Sequence, residues 1–335
     1  MSRSPDDNLI GESPAFLEVL EAASEVAPLD RPALVIGERG TGKELIASRI
    51  HFLSRRWDEP FIQLNCAALN ESLLESELFG HEAGAFTGAK AQRKGRFELA
   101  HKGTLFLDEL SNTSMSVQEK ILRVIEYGEF ERVGGQNPVR VDVRIVAATN
   151  EDLPSLVEEG RFRADLLDRL AFDVITLPPL RARDTDILDL AEHFARRMTS
   201  ELGRAIFSGF ADGAVEQLMN YRWPGNVREL KNVIERAVYR HKDPDQELTE
   251  ITFDPFESPY RPVKETPDDS SAEPGPQIPD QEFDFKQCVS DYEIALLKSG
   301  LKQARYNQKK AAEIMGLTYH QLRGQLRKYE LLDGD

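Results

Sequence analysis

The segment GERGTGKE, Gly37 to Glu44, constrains the fold more than any other part of the sequence. It follows the apolar run ALVI and precedes a helical stretch, Leu45–Ser54. Glycines let backbone N–H groups turn towards one point, and a helix N-terminus carries partial positive charge, so such a loop cradles phosphates. Lys43 is placed to reach the outer phosphates, whereas Glu44 stands where a hydroxyl ligand for Mg²⁺ is usual. The alternative is a glycine-rich turn without a ligand, but the strand–loop–helix setting favours a phosphate-binding loop.

Five apolar runs have the composition of strands that helices cover on both faces. They are Ala33–Gly37, Phe61–Asn65, Thr104–Leu107, Arg144–Ala148 and Val174–Leu177. Because amphipathic helical stretches separate them, the sequence predicts an α/β domain with a parallel sheet flanked by helices. After Pro178 and Pro179 the apolar spacing becomes purely helical, which predicts a helical subdomain. Its helices are expected at Ile187–Leu202, Asp212–Tyr221 and Val227–Arg240.

Composition divides the chain further. Between Asp254 and Gln281 there are seven prolines and seven acidic residues against two basic ones. Such a stretch buries little apolar surface and is predicted to be a flexible linker. The predicted segments are an α/β subdomain at 1–178, a helical lid subdomain at 179–253, the linker at 254–281 and a second helical domain at 282–335.

Charge and cysteine content restrict the partners and the compartment. A net charge of −16 argues against nucleic acid, but between Lys298 and Lys328 eight basic residues stand against one acidic residue, Glu313. The two cysteines, Cys66 and Cys288, argue against a disulfide framework and fit a reducing cytoplasm. The sequence has no apolar run long enough to cross a bilayer and does not open on a signal pattern. We therefore expect a cytoplasmic protein without membrane insertion.

Polar side chains end three of the predicted strands. The run TLFLDE ends in Asp108 and Glu109; one carboxylate suits Mg²⁺, and the other suits polarising a water for attack on a γ-phosphate. The alternative is a solvated acidic loop. Asn65 ends the run FIQLN near the expected position of Glu109, and Thr149 and Asn150 end RIVAATN, where they could sense a γ-phosphate. A capping or turn role is the alternative for these three residues.

The segment GAFTGA, Gly84 to Ala89, holds Phe86 and Thr87 between small residues. Glycine tolerates backbone angles that other residues rarely adopt, so this mount suits a ring that is presented or that moves. The alternative is a glycine-rich loop whose phenylalanine packs into the local core.

Five motifs together resemble the AAA+ domain of bacterial enhancer-binding proteins, the activators of sigma-54 RNA polymerase. They are GERGTGKE, ELFGHEAGAFTGA, GTLFLDE, FRADLLDRL and WPGNVREL, in the family's order between about Leu9 and Phe253. Glu44 fits this family, whose phosphate loop normally ends in GKE. The resemblance implies an AAA+ P-loop ATPase with a helical lid, ATP and Mg²⁺ as cofactors, and a homo-oligomeric ring that is a hexamer in the family.

The resemblance also implies roles in nucleotide hydrolysis. Asp108 would help to hold Mg²⁺, Glu109 would position the attacking water, and Asn65 would hold Glu109 in an inactive pose until nucleotide arrives. Thr149 and Asn150 match sensor I. The implied nucleotide-binding positions are Leu9, Ile10, Gly37, Glu38, Arg39, Gly40, Thr41, Gly42, Lys43, Glu44, Thr149, Asn150 and, as sensor II on the lid, Arg228.

Contacts with other proteins follow from the same resemblance. Arg163 and Arg169 match arginine fingers that reach a neighbouring subunit's site; pairing with Asp165 or Asp168 on the helix surface is the alternative. Within the family the chain resembles the phage-shock branch, which lacks a receiver domain, and this implies phage shock protein A as a separate inhibitor. Trp57 is a candidate inhibitor contact, the alternative being a ring folded onto its helix. The implied sigma-54 contacts are Gly84, Ala85, Phe86, Thr87, Gly88 and Ala89.

The basic tail has a helix-turn-helix pattern that resembles the Fis-type domain of enhancer-binding proteins. Ala311 and Ala312 permit close helix approach, Gly316 makes the turn, and Thr318 caps a second helix. The resemblance implies double-stranded enhancer DNA as a partner; a basic helical hairpin for dimerisation or protein docking is the alternative. The candidate DNA-binding residues are Lys309, Lys310, Thr318, Tyr319, His320, Gln321, Arg323, Arg327 and Lys328.

These features favour a mechanochemical transcription activator that binds upstream DNA, assembles a ring and remodels a closed promoter complex by hydrolysing ATP. A DNA-binding regulator with a purely structural AAA+ domain is a second hypothesis, against which the intact GAFTGA, acidic pair and arginines argue. A P-loop helicase or clamp loader, the third hypothesis, would lack GAFTGA and would not need the tail.

Overall fold

In this computed structural model the described residues are 9–86, 89–256, 285–304, 307–329 and 331, and the chain divides into two compact units between Pro255 and Phe256. Thr87 and Gly88, and nearly all of the predicted linker at 254–281, lie outside the described residues. The predicted boundaries of the four segments therefore remain predictions.

The first unit is built on a parallel sheet of five strands in the order β2-β3-β6-β1-β7. Register places Asn65 beside Asp108 and Ile36 beside Thr149, so these four strands end at one edge. The five predicted strands are confirmed, while the antiparallel hairpin β4–β5 was not predicted. The strands are β1 Ala33–Ile36, β2 Phe61–Asn65, β3 Thr104–Asp108, β4 Glu129–Glu131, β5 Pro138–Arg140, β6 Arg144–Thr149 and β7 Val174–Thr176.

Helices cover both faces of this sheet. Along β3, Leu105 and Leu107 join one apolar cluster and Phe106 joins another, because successive side chains of a strand point to opposite faces. This two-sided burial explains why the strands read as continuous apolar runs. The helices of the α/β subdomain are α1 Pro14–Val26, α2 Lys43–Phe52, α3 Glu71–Phe79, α4 Arg96–Leu99, α5 Met115–Tyr127, α6 Leu153–Glu158 and α7 Ala164–Leu170.

Three helices form the lid subdomain, as predicted: α8 Asp184–Glu201, α9 Asp212–Asn220 and α10 Asn226–Arg240. Their core surrounds Trp223, whose side chain is fully buried and donates from Nε1 to the Leu218 carbonyl at 2.9 Å. The first helix begins at Asp184 rather than at Ile187, since two aspartates in its first turn stabilise the helix N-terminus.

The second unit contains helices α11 Phe285–Gln303, α12 Gln308–Ile314 and α13 Tyr319–Lys328. Ala311 and Ala312 are buried against Leu322 and Leu326, and Gly316 has φ +65° in the turn between the last two helices. Thr318 and Gln321 form a capping box at the start of α13. None of the described helices is long and apolar enough to cross a membrane.

Candidate active site and interaction surfaces

The phosphate-binding loop connects β1 to α2, as the sequence predicts, and two of its glycines cannot be replaced without strain. Gly40 and Gly42 have φ values of +83° and +95°, which only glycine adopts readily. A Cβ on Gly40 would also collide with the carbonyl oxygen of Gly225 in the lid. The loop therefore combines left-handed backbone with close packing against the lid.

Lys43 is buried at the start of α2, and its Nζ donates to the Gly37 carbonyl at 2.8 Å and to the Glu38 carbonyl at 3.3 Å. Burial lowers the pKa of Lys43, and the carboxylates of Glu109 and Asp108 act against that shift. Conversely, burial raises the pKa of Glu109, while Lys43 opposes the increase. Burial strengthens the attraction of the Lys43 ammonium for a polyphosphate, whereas the two carboxylates repel the phosphates and suit a cation placed between them.

The acidic pair lies at the end of β3, where the chain leaves the strand sharply. Glu109 has φ +54°, a left-handed conformation that costs a non-glycine residue roughly 1 kcal/mol. Its N–H donates to Asp108 Oδ1 at 3.1 Å. The Asn65 amide donates to Asp108 Oδ2 at 3.0 Å, so the expected contact between Asn65 and Glu109 is not present. The parallel register explains this difference, because it pairs Asn65 with Asp108, and Glu109 turns out of the strand.

The two residues predicted as sensor I lie apart from the lining of the cavity that contains Lys43. Thr149 is fully buried; its hydroxyl donates to Ser111 Oγ at 3.1 Å and accepts from the Glu151 N–H at 3.0 Å. Asn150 is exposed one residue beyond the end of β6. In this conformation Thr149 fixes the strand end through hydrogen bonds, and the role of both residues in sensing nucleotide remains a prediction.

The side chain of Glu38 joins the loop to the lid, and its predicted role in nucleotide binding stays a prediction. Its carboxylate accepts from Arg181 at 2.5 and 2.9 Å and from the Asn226 amide at 3.1 Å. The hydrogen bond from Arg181 is the main reason why the pKa of Glu38 falls to about 2. Asn226 also donates to the Arg39 carbonyl at 3.0 Å and accepts from the Leu180 N–H at 2.8 Å. Loop and lid are therefore held together by charged and amide groups that the sequence motifs did not reveal.

A cavity of about 290 Å³ lies between the loop and the lid. Of the predicted nucleotide and catalytic residues it is lined by Leu9, Ile10, Arg39, Gly40, Thr41, Gly42, Lys43, Glu44, Asp108, Glu109 and Arg228. Sequence reasoning missed the lining that α8 provides, namely Leu190, His193, Phe194 and Arg197. Their spacing of three and four residues marks one helical face, but only the fold shows that this face meets the loop.

Comparison with known proteins identifies this architecture. Residues 9–176 match the family model described as the Sigma-54 interaction domain, and residues 181–270 match the AAA+ ATPase lid domain. The Psp operon transcriptional activator of Escherichia coli (strain K12) is 60% identical over 325 residues, covering 97% of this chain and 98% of that protein. The chain belongs to the sigma-54-dependent AAA+ transcription activators.

More distant relatives agree with this family. A Nif-specific regulatory protein of Azotobacter vinelandii is 46% identical over 321 residues, which is 95% of this chain and 58% of the relative. The structure of NtrX from Brucella abortus in complex with ADP has a TM-score of 0.68 at 31% identity, and the complex with ATP has 0.67 at the same identity. Each comparison covers 96% of this chain and 69% of NtrX. The predicted AAA+ fold and ATPase class are confirmed.

The two candidate arginine fingers of this AAA+ domain are paired with carboxylates of their own chain. Arg163 contacts Asp165 at 2.7 Å, and Arg169 contacts Glu126 at 2.9 Å, not Asp168. Neither arginine is among the residues that line the 290 Å³ cavity. Both arginines thus form surface ion pairs within the chain, as the alternative interpretation expects for Arg163. Their role as fingers in a neighbouring subunit's site stays a prediction.

The described part of the GAFTGA loop is closed at its base by backbone hydrogen bonds and exposes Phe86. Gly84 N–H donates to the Ala89 carbonyl at 2.8 Å, and Ala89 N–H donates to the Phe86 carbonyl at 3.0 Å. The Phe86 side chain is 45% exposed, with its ring centroid 5.0 Å from that of His81. The alternative of a phenylalanine tucked into the core is therefore wrong.

The unpredicted hairpin β4–β5 supports this loop. Arg132, just after β4, donates to Glu82 at 2.9 Å and to Glu98 at 2.7 Å, so one guanidinium joins the hairpin, the approach to the loop and α4. Val133 also exchanges backbone hydrogen bonds with the same approach, accepting from Glu82 N–H and donating to the Gly80 carbonyl, each at 3.0 Å. The base of the loop is thus held by the hairpin, although the Phe86 side chain is exposed.

Trp57 and most of the candidate DNA-binding residues are exposed. Trp57 is 61% exposed, so its ring is not folded onto the helix. In the second unit, Lys328 donates to Glu293 at 3.2 Å, and Gln321 Oε1 accepts from the Thr318 N–H at 2.9 Å. Tyr319 is half-buried. The exposed candidates for DNA contact are Lys309, Lys310, Thr318, His320, Gln321, Arg323, Arg327 and Lys328.

Proposed function

We propose that this sigma-54-dependent activator couples ATP hydrolysis to remodelling of the sigma-54 RNA polymerase closed complex into an open complex. The observation that carries the proposal is one cavity in which Lys43, the Asp108–Glu109 pair and Arg228 meet. The same compact unit carries the exposed Phe86 of GAFTGA, on a loop base that the hairpin β4–β5 holds. A hydrolytic site and a presented contact loop in one unit are the two parts that such coupling needs.

The hydrolysis follows from groups already placed. N–H groups of the loop and the N-terminus of α2 bind the phosphates, and Lys43 and Arg228 offset their negative charge. Glu109 orients the attacking water and draws its proton as the bond from the water oxygen to the γ-phosphorus forms and the bond from that phosphorus to the β–γ bridging oxygen breaks, which releases ADP.

The acidic pair also suits the Mg²⁺ that accompanies ATP. Within the described residues no group of three or more His, Cys, Asp or Glu side chains is arranged to hold a metal ion by itself. Mg²⁺ typically takes one or two carboxylates and completes its shell with phosphate oxygens and water. Asp108 accepts one hydrogen bond on each oxygen, which leaves lone pairs for such an ion. When bound, Mg²⁺ neutralises charge that develops on the phosphate oxygens.

Assembly into a ring, a hexamer by family resemblance, would complete this site. The guanidinium groups of Arg163 and Arg169 would enter the neighbouring subunit's cavity and stabilise the transferring phosphoryl group. Arg169 is exposed and Arg163 is partly exposed, and neither residue lines the cavity of its own chain, which supports this arrangement.

The second unit and Trp57 complete the proposed regulatory role. The exposed basic residues of α12 and α13 would bind upstream enhancer DNA; unchanged DNA affinity of Arg323→Ala would contradict a base-reading role for that residue. The 60% sequence identity to the Psp operon transcriptional activator supports control of a phage shock response and inhibition by phage shock protein A. Trp57 is an exposed aromatic anchor for that inhibitor, and unchanged inhibitor binding by Trp57→Ala would exclude it.

The decisive test is open-complex formation at a sigma-54 promoter with Thr87→Ala. We expect the variant to hydrolyse ATP at close to the wild-type rate and to form no open complexes. Thr87→Ser, which keeps the hydroxyl, is the matched control and should retain activation. Equal activation by wild type and Thr87→Ala would overturn the coupling role of the loop.

A further inference from the structure

A buried ion pair lies where the lid begins. Arg183 Nε contacts Asp186 Oδ2 at 2.8 Å, and the two side chains are 3% and 0% exposed. Arg183 directly precedes α8, and Asp186 is in its first turn. A buried ion pair adds little to the free energy of unfolding, because desolvation cancels much of the attraction, but it holds the groups that it contacts in one arrangement.

Both members of the pair bind the segment that precedes α1. Asp186 Oδ1 accepts from the N–H groups of Glu12 at 2.7 Å and Ser13 at 2.8 Å, and Oδ2 accepts from Ser13 Oγ at 2.6 Å. Arg183 donates to the Ile10 carbonyl at 3.0 Å. The lid helix is thus joined to a segment more than 170 positions earlier in the chain by four hydrogen bonds.

Packing leaves little freedom at this junction. The Arg183 guanidinium lies 3.7 Å from the centroid of the Phe16 ring. Gly11 has φ +142°, and a Cβ there would lie 2.5 Å from Arg183 Nη2 and 2.6 Å from Asp186 Oδ2. At Gly11 the backbone of this segment therefore lies so close to the ion pair that a side chain there would collide with it.

The two elements that the pair joins also form the apolar lining of the nucleotide cavity. Leu9 and Ile10 contribute from the segment, and Leu190 and Phe194 contribute from α8, one and two turns beyond Asp186. The loop with Lys43 and the Asp108–Glu109 pair provide polar lining, and Arg183 itself also lines the cavity. Phosphates belong on the polar lining and the base on the apolar one, as in most nucleotide sites.

We propose that Arg183 and Asp186 are positioning residues that set the spacing between Leu9–Ile10 and α8, and thereby the affinity and selectivity for the nucleotide base. This inference rests on the proposed ATPase site. The pair does not touch the phosphate loop, so it acts on recognition of the base and leaves phosphate binding and the chemical step to Lys43 and Glu109. Because the pair bridges lid and α/β subdomain, it fixes the spacing of the two base-binding walls.

The test compares Asp186→Asn and Arg183→Lys with wild type in the full chain. We expect KM for ATP to rise about tenfold, the range for a displaced contact in a binding pocket, while kcat changes little. Discrimination between ATP and GTP should fall, and binding of inorganic triphosphate, which has no base, should stay at the wild-type level. Arg196→Ala is the matched control, because Arg196 is an exposed residue of α8 paired with Glu192 at 2.8 Å.

Parallel loss of ATP and inorganic triphosphate binding in folded variants would show a merely structural pair and overturn the inference. If the ion-pair variants do not fold, Ser13→Ala provides the measurement, because it removes only the hydroxyl contact to Asp186 Oδ2. We expect this variant to raise KM for ATP by a smaller factor and to leave triphosphate binding unchanged. Wild type that binds ATP selectively but does not remodel promoters would contradict the proposed function alone, since the binding comparison would still stand.

Discussion

Lys43 and Glu109 are charged residues that the folded site places in unfavourable surroundings. Burial disfavours the charged form of both, and the attraction between them restores part of the loss. Glu109 also adopts a left-handed backbone. Unfavourable features that gather on one residue at a cavity are typical of groups kept for chemistry.

Replacing Glu109 with glutamine should therefore separate activity from stability. Loss of the group that positions water should lower kcat about a hundredfold or more. Because the pKa of Glu109 is raised in the folded state, its ionised form destabilises the protein at neutral pH, and this penalty disappears as the pH falls towards the ordinary glutamate pKa of about 4.3. Glu109→Gln should thus unfold at a higher temperature than wild type at pH 7.5, with the difference shrinking in acid. A variant less stable than wild type at pH 7.5 would contradict the burial argument.

At the scale of elements, the sequence motifs predict the sheet well and the connections between subdomains poorly. The strands were readable because two-sided burial makes them continuously apolar, as in Leu105 to Leu107. Hairpin β4–β5 was not, because its three-residue strands EFE and PVR are shorter than the roughly four to eight residues over which alternation indicates a strand. The α8 lining and the Glu38–Arg181 pair depend on how the lid packs against the loop, which no local pattern encodes.

The contact between loop and lid gives an element-scale prediction at Gly40. Gly40→Ala adds both a left-handed strain and a collision with the Gly225 carbonyl, so we expect a loss of about 2 to 4 kcal/mol in the free energy of unfolding and weaker ATP binding. Gly203→Ala is the matched control: its φ is +69°, but a Cβ there meets nothing within 4 Å. Urea unfolding should show about 1 kcal/mol for the control, from backbone strain alone. Equal losses in the two variants would mean that the lid does not press on the loop.

At the scale of the whole molecule, the catalytic groups described in one chain form an incomplete set. Lys43, Glu109 and Arg228 share a cavity, whereas Arg163 and Arg169 are held by carboxylates outside its lining. Phosphoryl transfer gains greatly from a guanidinium that approaches from outside the site. Assembly would then exchange an intrachain ion pair for a contact with a neighbour's phosphate, which makes hydrolysis depend on protein concentration.

Mixing two inactive variants tests this dependence directly. Arg169→Ala keeps Glu109 but lacks a finger, and we expect its kcat to fall about a thousandfold. Glu109→Gln keeps the finger but cannot position water, and we expect its kcat to fall about a hundredfold. If the finger acts in trans, some interfaces in a mixture place an intact Arg169 beside an intact Glu109, and ATPase activity should exceed the sum of the two separate rates. Arg196→Ala, which removes an exposed pair partner on α8 and keeps both Glu109 and Arg169, should have the wild-type rate on its own. A mixture that shows only the summed rates, together with a wild-type rate per subunit that stays constant on dilution, would place the finger in its own chain's site or outside catalysis.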